Sequence, residues 1–134
     1  MARLLVVDGS PNAASALKLL FEDDGHDVEA HTNAEDALAA LSQRLFDVVL
    51  TDLLGSHAEG RTIVRVARRC HPEACIFVNS ARAPTPDIAE ACHVFEKPLD
   101  YRALACTIAE CRARRGPGRH GVCYLKSPSD QGAT

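Results

Sequence analysis

Four polar side chains with metal-binding or phosphate-binding chemistry follow short apolar segments of the chain. They are Asp8, Asp52, Ser80 and Lys97. The segments before them, such as residues 48–50, are typical of strands buried on both faces. If these strands lie parallel, their carboxyl ends meet at one edge of the sheet, where open α/β sheets bind ligands. Two carboxylates, a hydroxyl and an ammonium at one edge could hold a metal ion and a phosphoryl group.

Each of these side chains also has a simpler interpretation. An aspartate after a strand can cap the following turn, Ser80 can be a turn residue, and Lys97 can be a surface charge before Pro98. Taken singly, each residue favours the simpler interpretation. The position of all four residues at the ends of predicted strands favours a common site.

The composition is that of one soluble globular domain. The chain has 134 residues, of which 46% are apolar and 25% charged, enough to bury a core without cross-links. No apolar run approaches the roughly 20 residues that span a bilayer. Residues 1–4 lead directly into a strand, without the features of a signal peptide. We therefore expect a cytoplasmic protein that does not associate with membranes.

The cysteines give no metal-binding spacing. There are six, at positions 70, 75, 92, 106, 111 and 123, and no two form a Cys-x-x-Cys pair. Disulfides, a zinc site and redox chemistry are the alternatives to consider. Because most of the six lie in or beside apolar segments, and a free cysteine is usually a small buried hydrophobic residue, the pattern favours structural thiols.

Positive charge is concentrated in the second half of the chain. It includes Arg61, Arg65, Arg68 and Arg69 on one predicted helix, and then Arg112, Arg114, Arg115 and Arg119. Neither group has the interleaved aromatic residues of a nucleic-acid platform. Such groups are usually solvated faces, so nucleic acid is not favoured as a partner.

Strand and helix patterns alternate along the chain. Strands are predicted at 4–7, 26–30, 48–52, 75–79 and 92–96, with a helix after each, the fourth limited to 87–91. The first helix begins at Ser10, the second at Thr32 or Asn33, and the last at Asp100, all favourable caps. Alternation of this kind implies parallel strands with right-handed crossovers.

We therefore predict an α/β fold of the flavodoxin-like, doubly wound type. Its five-stranded parallel sheet has strand order 2-1-3-4-5, with helices on both faces. Asp8 and Asp52 then lie at the switch point between the first and third strands. This domain is expected over residues 1–115. Residues 116–134 turn to Gly, Pro, Ser and Arg, which predicts a C-terminal tail with no output domain.

Five short motifs appear in a familiar order along these elements. They are Val6-Val7-Asp8, Val48-Val49-Leu50-Thr51-Asp52, Glu59-Gly60, Ser80-Ala81 and Lys97-Pro98. Together they resemble the receiver domain of two-component response regulators, which has the flavodoxin-like (CheY-like) fold. The resemblance covers residues 3 to about 112.

The resemblance implies a role for each candidate residue. Asp52 would accept a phosphoryl group from the phosphohistidine of a histidine kinase, in a Mg²⁺-dependent reaction that relies on positioning and charge. Asp8, Asp52 and the backbone carbonyl of Leu54 match metal-ligand positions. Lys97 would pair with a phosphoryl oxygen as a point charge. Ser80 would donate a hydrogen bond to the phosphoryl group and move towards it.

Three departures indicate an atypical variant of the family. Receivers usually carry a second acidic residue after the first, and Gly9 occupies that place, so we expect weakened Mg²⁺ binding. Val94 replaces an aromatic residue that usually takes part in the conformational switch. The interval from Ser80 to Lys97 is about five residues short, so we expect a truncated or remodelled fourth helix.

Two functions fit these features. The first is a single-domain response regulator of a phosphorelay, which receives its phosphoryl group from a histidine kinase or histidine phosphotransfer protein and signals to a downstream protein target. It would promote its own phosphorylation and dephosphorylation without being a dedicated enzyme. The second is a degenerate receiver that binds protein independently of phosphorylation. A cofactor-binding protein is disfavoured, because Gly9-Ser10-Pro11 lacks the spacing of a phosphate-binding loop.

Overall fold

Short runs rich in Val, Ile, Leu and Phe form the strands of a parallel sheet. The computed structural model describes residues 1–54, 58–81 and 86–115. The strands are β1 (Arg3–Val7), β2 (Asp27–His31), β3 (Val48–Asp52), β4 (Cys75–Ser80) and β5 (His93–Glu96). All neighbouring strands pair in parallel, in the order β2-β1-β3-β4-β5. The predicted topology is confirmed.

The helices begin where side chains satisfy their first free amides. They are α1 (Pro11–Asp23), α2 (Ala34–Gln43), α3 (Ala58–Cys70) and α4 (Tyr101–Arg115). The Ser10 hydroxyl accepts a hydrogen bond from the Ala13 amide at 3.3 Å. Of the two predicted caps for α2, Asn33 is the one used, accepting from the Asp36 amide at 2.8 Å. In the described ranges, no helix has the length and apolar character needed to cross a bilayer.

Apolar side chains fill two cores, one on each face of the sheet. On one face, residues of α2 and α3 such as Leu41 and Ile63 pack against Leu5, Val49 and Ile76. On the other, residues of α1 and α4 pack against the alternate residues of the same strands; this cluster includes Leu4, Phe21, Leu50, Phe77 and Leu104. Successive strand residues point to opposite faces, so each face of the sheet has its own apolar core. Helices cover both faces, as predicted.

The predicted fourth helix at 87–91 is wrong. Residues 86–92 contain only a turn, in which the Ala91 amide donates to the Ile88 carbonyl at 3.1 Å. A five-residue helix would gain a single i to i+4 hydrogen bond for the entropy of fixing several residues. Ile88 and Ala91 are buried instead, so the segment crosses the core edge as a short connection.

The expectation that the cysteines are structural thiols is wrong for one pair. Cys75 at the start of β4 and Cys111 in α4 form a disulfide, and the Cys92 sulfur lies 3.9 Å from that of Cys111. All three are buried, whereas Cys70 and Cys106 are exposed. The prediction was correct that these three cysteines are buried. The bond forms because the fold brings Cys75 and Cys111 together. The predicted tail at 116–134, with Cys123 and Arg119, lies outside the described residues.

Candidate functional site

The two acidic candidates meet because β1 and β3 are neighbours. Val7 of β1 pairs with Thr51 of β3, so the residues that follow them, Asp8 and Asp52, stand side by side at the carboxyl edge of the sheet. Asp8 is 2% exposed, and the Ser10 amide donates to its Oδ1 at 2.9 Å. The sequence placed this pair correctly, since strand ends and parallel pairing were enough to locate it.

Lys97 reaches these carboxylates from the edge strand β5, which β4 separates from β3. It follows β5, and its backbone amide donates to the Ser80 carbonyl at 2.8 Å. Its ammonium Nζ lies 3.3 Å from Asp8 Oδ2 and 3.6 Å from Asp52 Oδ2. The cation therefore bridges the two carboxylates, which removes the interpretation of Lys97 as a simple surface charge before Pro98.

Backbone amides complete the surroundings of Asp52. The Leu54 amide donates to Oδ1 at 2.6 Å, and the Gly9 amide donates to Oδ2 at 3.1 Å. Leu54 adopts a left-handed conformation, with φ of 60°, which costs a residue with a side chain roughly 1 kcal/mol. The chain turns sharply after β3, and this turn brings the Leu54 amide back to the carboxylate. Sequence reasoning missed both amide donors, because backbone groups carry no sequence signal.

Ser80 ends β4 at the same edge of the sheet. It is fully buried, and its backbone carbonyl holds the Lys97 amide. Ser80 is therefore connected to the pocket through its backbone, which holds the backbone of Lys97 at the end of β5. Val94, two residues before Glu96, packs as a partly buried side chain against the core on the α2 and α3 face.

The oxygen atoms of the pocket suit a hard divalent cation. Such ions take oxygen ligands, and Mg²⁺ usually keeps several waters alongside one or two carboxylates. Asp8 and Asp52 supply the carboxylates, and the Leu54 backbone adjoins them. Within the described ranges, no group of three or more His, Cys, Asp or Glu side chains is arranged so that it could hold a metal ion. The donor set therefore fits Mg²⁺, with fewer protein ligands than a site with a third acid would have.

Gly9 leaves room for a side chain that it does not supply. A Cβ at this position would lie 3.6 Å from Leu54 Cδ2 and 4.0 Å from Asp52 Oδ2, which is ordinary van der Waals contact. The glycine is therefore not required by crowding. Its contribution to the pocket is its amide, which bonds to Asp52.

Comparison with known proteins agrees with this architecture. A family model described as the response regulator receiver domain matches residues 4–105. The transcriptional regulatory protein DltR of Streptococcus agalactiae is 29% identical over 85 residues, covering 63% of this chain and 38% of that protein. The transcriptional regulatory protein ZraR of Salmonella typhimurium is 26% identical over 115 residues, covering 82% and 26%. The chain thus spans about a third of the length of these relatives.

Solved structures share the fold. The response regulator protein TrrA of Thermotoga maritima, crystallised in complex with Mg(2+)-BeF, has a TM-score of 0.74 and 23% sequence identity, covering 84% of this chain and all of that one. The chemotaxis protein CheY4 of Vibrio cholerae has the same TM-score and identity, covering 84% and 99%.

Proposed function

This chain belongs to the response regulator receiver domain family, and from that premise we propose that it accepts a phosphoryl group on Asp52. The observation that carries the proposal is the position of Lys97, whose ammonium lies 3.3 Å from Asp8 and 3.6 Å from Asp52. A buried carboxylate with a bridging cation beside it is suited to handling the charge of a phosphoryl group. The donor would be a histidine kinase or a histidine phosphotransfer protein.

The transfer requires a lone pair on one Asp52 carboxylate oxygen in line with the phosphorus, in addition to the lone pairs that accept the amide hydrogen bonds. An Asp52 carboxylate oxygen forms the new O–P bond while the P–N bond to the donor imidazole breaks, and the imidazole leaves with that electron pair. The Leu54 and Gly9 amides hold the carboxylate in one orientation, which lowers the entropic cost of the attack. Lys97 then moves from a carboxylate to a phosphoryl oxygen, and the Ser80 hydroxyl donates to another.

Charge explains the need for a metal ion. Two carboxylates and one ammonium leave the pocket with an excess negative charge, and a phosphoryl group adds more. Mg²⁺ held by Asp8, Asp52 and the Leu54 carbonyl would supply compensating positive charge. Fewer protein ligands at Gly9 would make that binding weaker than in a pocket with a third acid.

The output would be a change of protein contacts in a two-component pathway. A receiver of this kind is a signalling module in the cytoplasm, acting on a downstream protein and catalysing no separate reaction. The second candidate, a degenerate receiver that binds protein without phosphorylation, is favoured by two observations. Residues 86–92 hold no helix, and Gly9 supplies no acidic side chain to the pocket.

Incubation with acetyl phosphate and Mg²⁺, followed by intact mass measurement, separates the two candidates. We expect the full chain to gain the mass of one phosphoryl group, and Asp52→Asn to gain none. Asp23→Asn, which removes an exposed carboxylate at the end of α1, is the matched control and should react as the wild type does. A wild-type chain that gains no phosphoryl group from acetyl phosphate or phosphoramidate would overturn the proposal and leave the binding module.

A further inference from the structure

One buried polar side chain, that of Asn79, lies next to the pocket without a hydrogen bond to any of the pocket residues described. Asn79 is 1% exposed. Neither its amide nitrogen nor its amide oxygen has a hydrogen-bond partner among the residues that the structure describes. Buried polar groups are nearly always paired, and an unpaired one costs roughly 1–3 kcal/mol. The Asn79 carboxamide therefore lacks the hydrogen bonds that a buried amide normally makes.

Strand register places Asn79 directly beside Asp52. Asn79 of β4 pairs with Asp52 on one side and with Phe95 of β5 on the other. Phe77, two residues earlier, belongs to the core on the α1 and α4 face, and its ring lies 5.9 Å from that of Phe95. Because residues two apart share a face, the Asn79 side chain projects from this same face.

The Lys97 side chain crosses β4 between the levels of Ala81, next to the Lys97 backbone, and Asn79, next to Asp52. Lys97 follows β5, yet its ammonium reaches Asp52 on β3 and Asp8 beyond β1. The sheet order puts β4 between these strands, and adjacent strands are about 4.8 Å apart. Asn79 is the β4 residue that pairs with Asp52, so it lies beside the end of this path, where the ammonium meets Asp52.

We infer that Asn79 is a positioning residue for Lys97 in the phosphorylated state. The inference rests on the proposed function of Asp52. A lysine ammonium has three N–H groups, and in the resting state it faces the two carboxylates. When Lys97 turns to a phosphoryl oxygen, the Asn79 carboxamide oxygen accepts a second N–H and holds the ammonium in place. The hydrogen bond that Asn79 lacks at rest is thus gained only after phosphorylation, which favours the phosphorylated form.

Replacement by leucine, which has nearly the same shape, tests this role. Asn79→Leu removes an unsatisfied polar group from the resting protein, so we expect a higher melting temperature. We also expect affinity for beryllofluoride, an analogue of the phosphoryl group, to fall about tenfold in the presence of Mg²⁺. That factor corresponds to the loss of one hydrogen bond to a charged group.

A double-mutant cycle with Lys97→Met shows whether Asn79 acts through Lys97. If it does, Asn79→Leu will have little further effect on beryllofluoride affinity once Lys97 is methionine. Val78→Ala is the matched control, since Val78 lies next to Asn79 on the opposite face of β4. This variant should melt at a lower temperature and keep wild-type beryllofluoride affinity.

The outcomes distinguish this inference from the proposed function. A wild-type chain that takes up neither a phosphoryl group nor beryllofluoride removes both. A wild-type chain that binds beryllofluoride, with Asn79→Leu binding equally well, overturns the role of Asn79 alone. An equal loss of affinity in the wild-type and Lys97→Met backgrounds also overturns it, because Asn79 would then act independently of the lysine.

Discussion

Gly60, in the first turn of α3, lies against the backbone of Leu53. Its amide donates to the Leu53 carbonyl at 3.2 Å, and a Cβ at position 60 would stand 2.4 Å from the Leu53 Cα. Leu53 immediately follows Asp52, and the next residue, Leu54, donates its amide to that carboxylate. The close approach therefore seats α3 on the turn that shapes the pocket.

Gly60→Ala should destabilise the protein by about 1–3 kcal/mol, since the new methyl group meets backbone that cannot rotate away. Chemical denaturation measures the loss. The control is Gly9→Ala, where a Cβ has normal contacts and the change in free energy of unfolding should be small. Equal stability of Gly60→Ala and wild type would contradict the close packing of Gly60 on the Leu53 backbone.

Lys97→Met should tighten Mg²⁺ binding by about tenfold, because the ammonium repels a second cation and occupies both carboxylates. Isothermal titration calorimetry gives the dissociation constant. Lys18→Met is the control, since Lys18 pairs with Glu22 on the exposed face of α1. If Lys97→Met and wild type bind Mg²⁺ with the same affinity, Lys97 does not belong to the metal pocket.

Gly9→Asp should also tighten Mg²⁺ binding, by about tenfold, because it adds a carboxylate ligand. Space is available at this position. The stability of the metal-free protein should fall, since a third carboxylate repels Asp8 and Asp52. Gly9→Asn, an uncharged oxygen ligand, should give a smaller gain. Unchanged affinity in Gly9→Asp would show that Gly9 does not weaken Mg²⁺ binding.

Reduction of the Cys75–Cys111 disulfide should lower the free energy of unfolding by about 2–4 kcal/mol, since the bond closes a loop with a sequence separation of 36. Denaturation with and without reductant measures this effect. In Cys111→Ser the reductant should make no difference. A wild-type protein with the same midpoint in both conditions would show that this bond does not stabilise the fold.

Acidification should destabilise the protein through His26. Burial, the N-terminal ammonium and Arg112 lower the pKa of His26, against the opposing effect of Asp24. The unfolded chain therefore binds the proton more readily. The contribution of His26 to the free energy of unfolding should be fully present above about pH 6.5, the ordinary pKa of histidine. It should fall as the pH drops below that value.

The neutral His26 ring accepts a hydrogen bond from the Ala2 amide at 3.0 Å. His26→Gln keeps an acceptor without the titration, so its free energy of unfolding should change less between pH 8 and pH 5.5. Denaturation curves at both pH values test this. A variant with the same pH dependence as the wild type would assign the effect to other groups.

Local pattern was sufficient to predict the sheet and much of the pocket. Runs such as 48–50 are apolar at every position, as a strand buried on both faces requires, and Ser10 and Asn33 carry the side chains that cap helices. Asp8 and Asp52 could be located because a strand end is visible in sequence and parallel strands share one edge. The same local pattern failed at 87–91, where the segment is too short for a helix.

Tertiary structure decided what depends on segments far apart in the chain. The contact between Lys97 and Asp8 joins residues 89 positions apart, and the disulfide joins Cys75 to Cys111. Strand register leaves Asn79 buried without a hydrogen-bond partner in the part of the chain that the structure describes, and the packing of α3 brings Gly60 against Leu53. Caps and alternation are properties of a few neighbouring residues, so sequence alone determines them. Distances and hydrogen-bond pairing across the sheet exist only once the strands are aligned and the helices are packed.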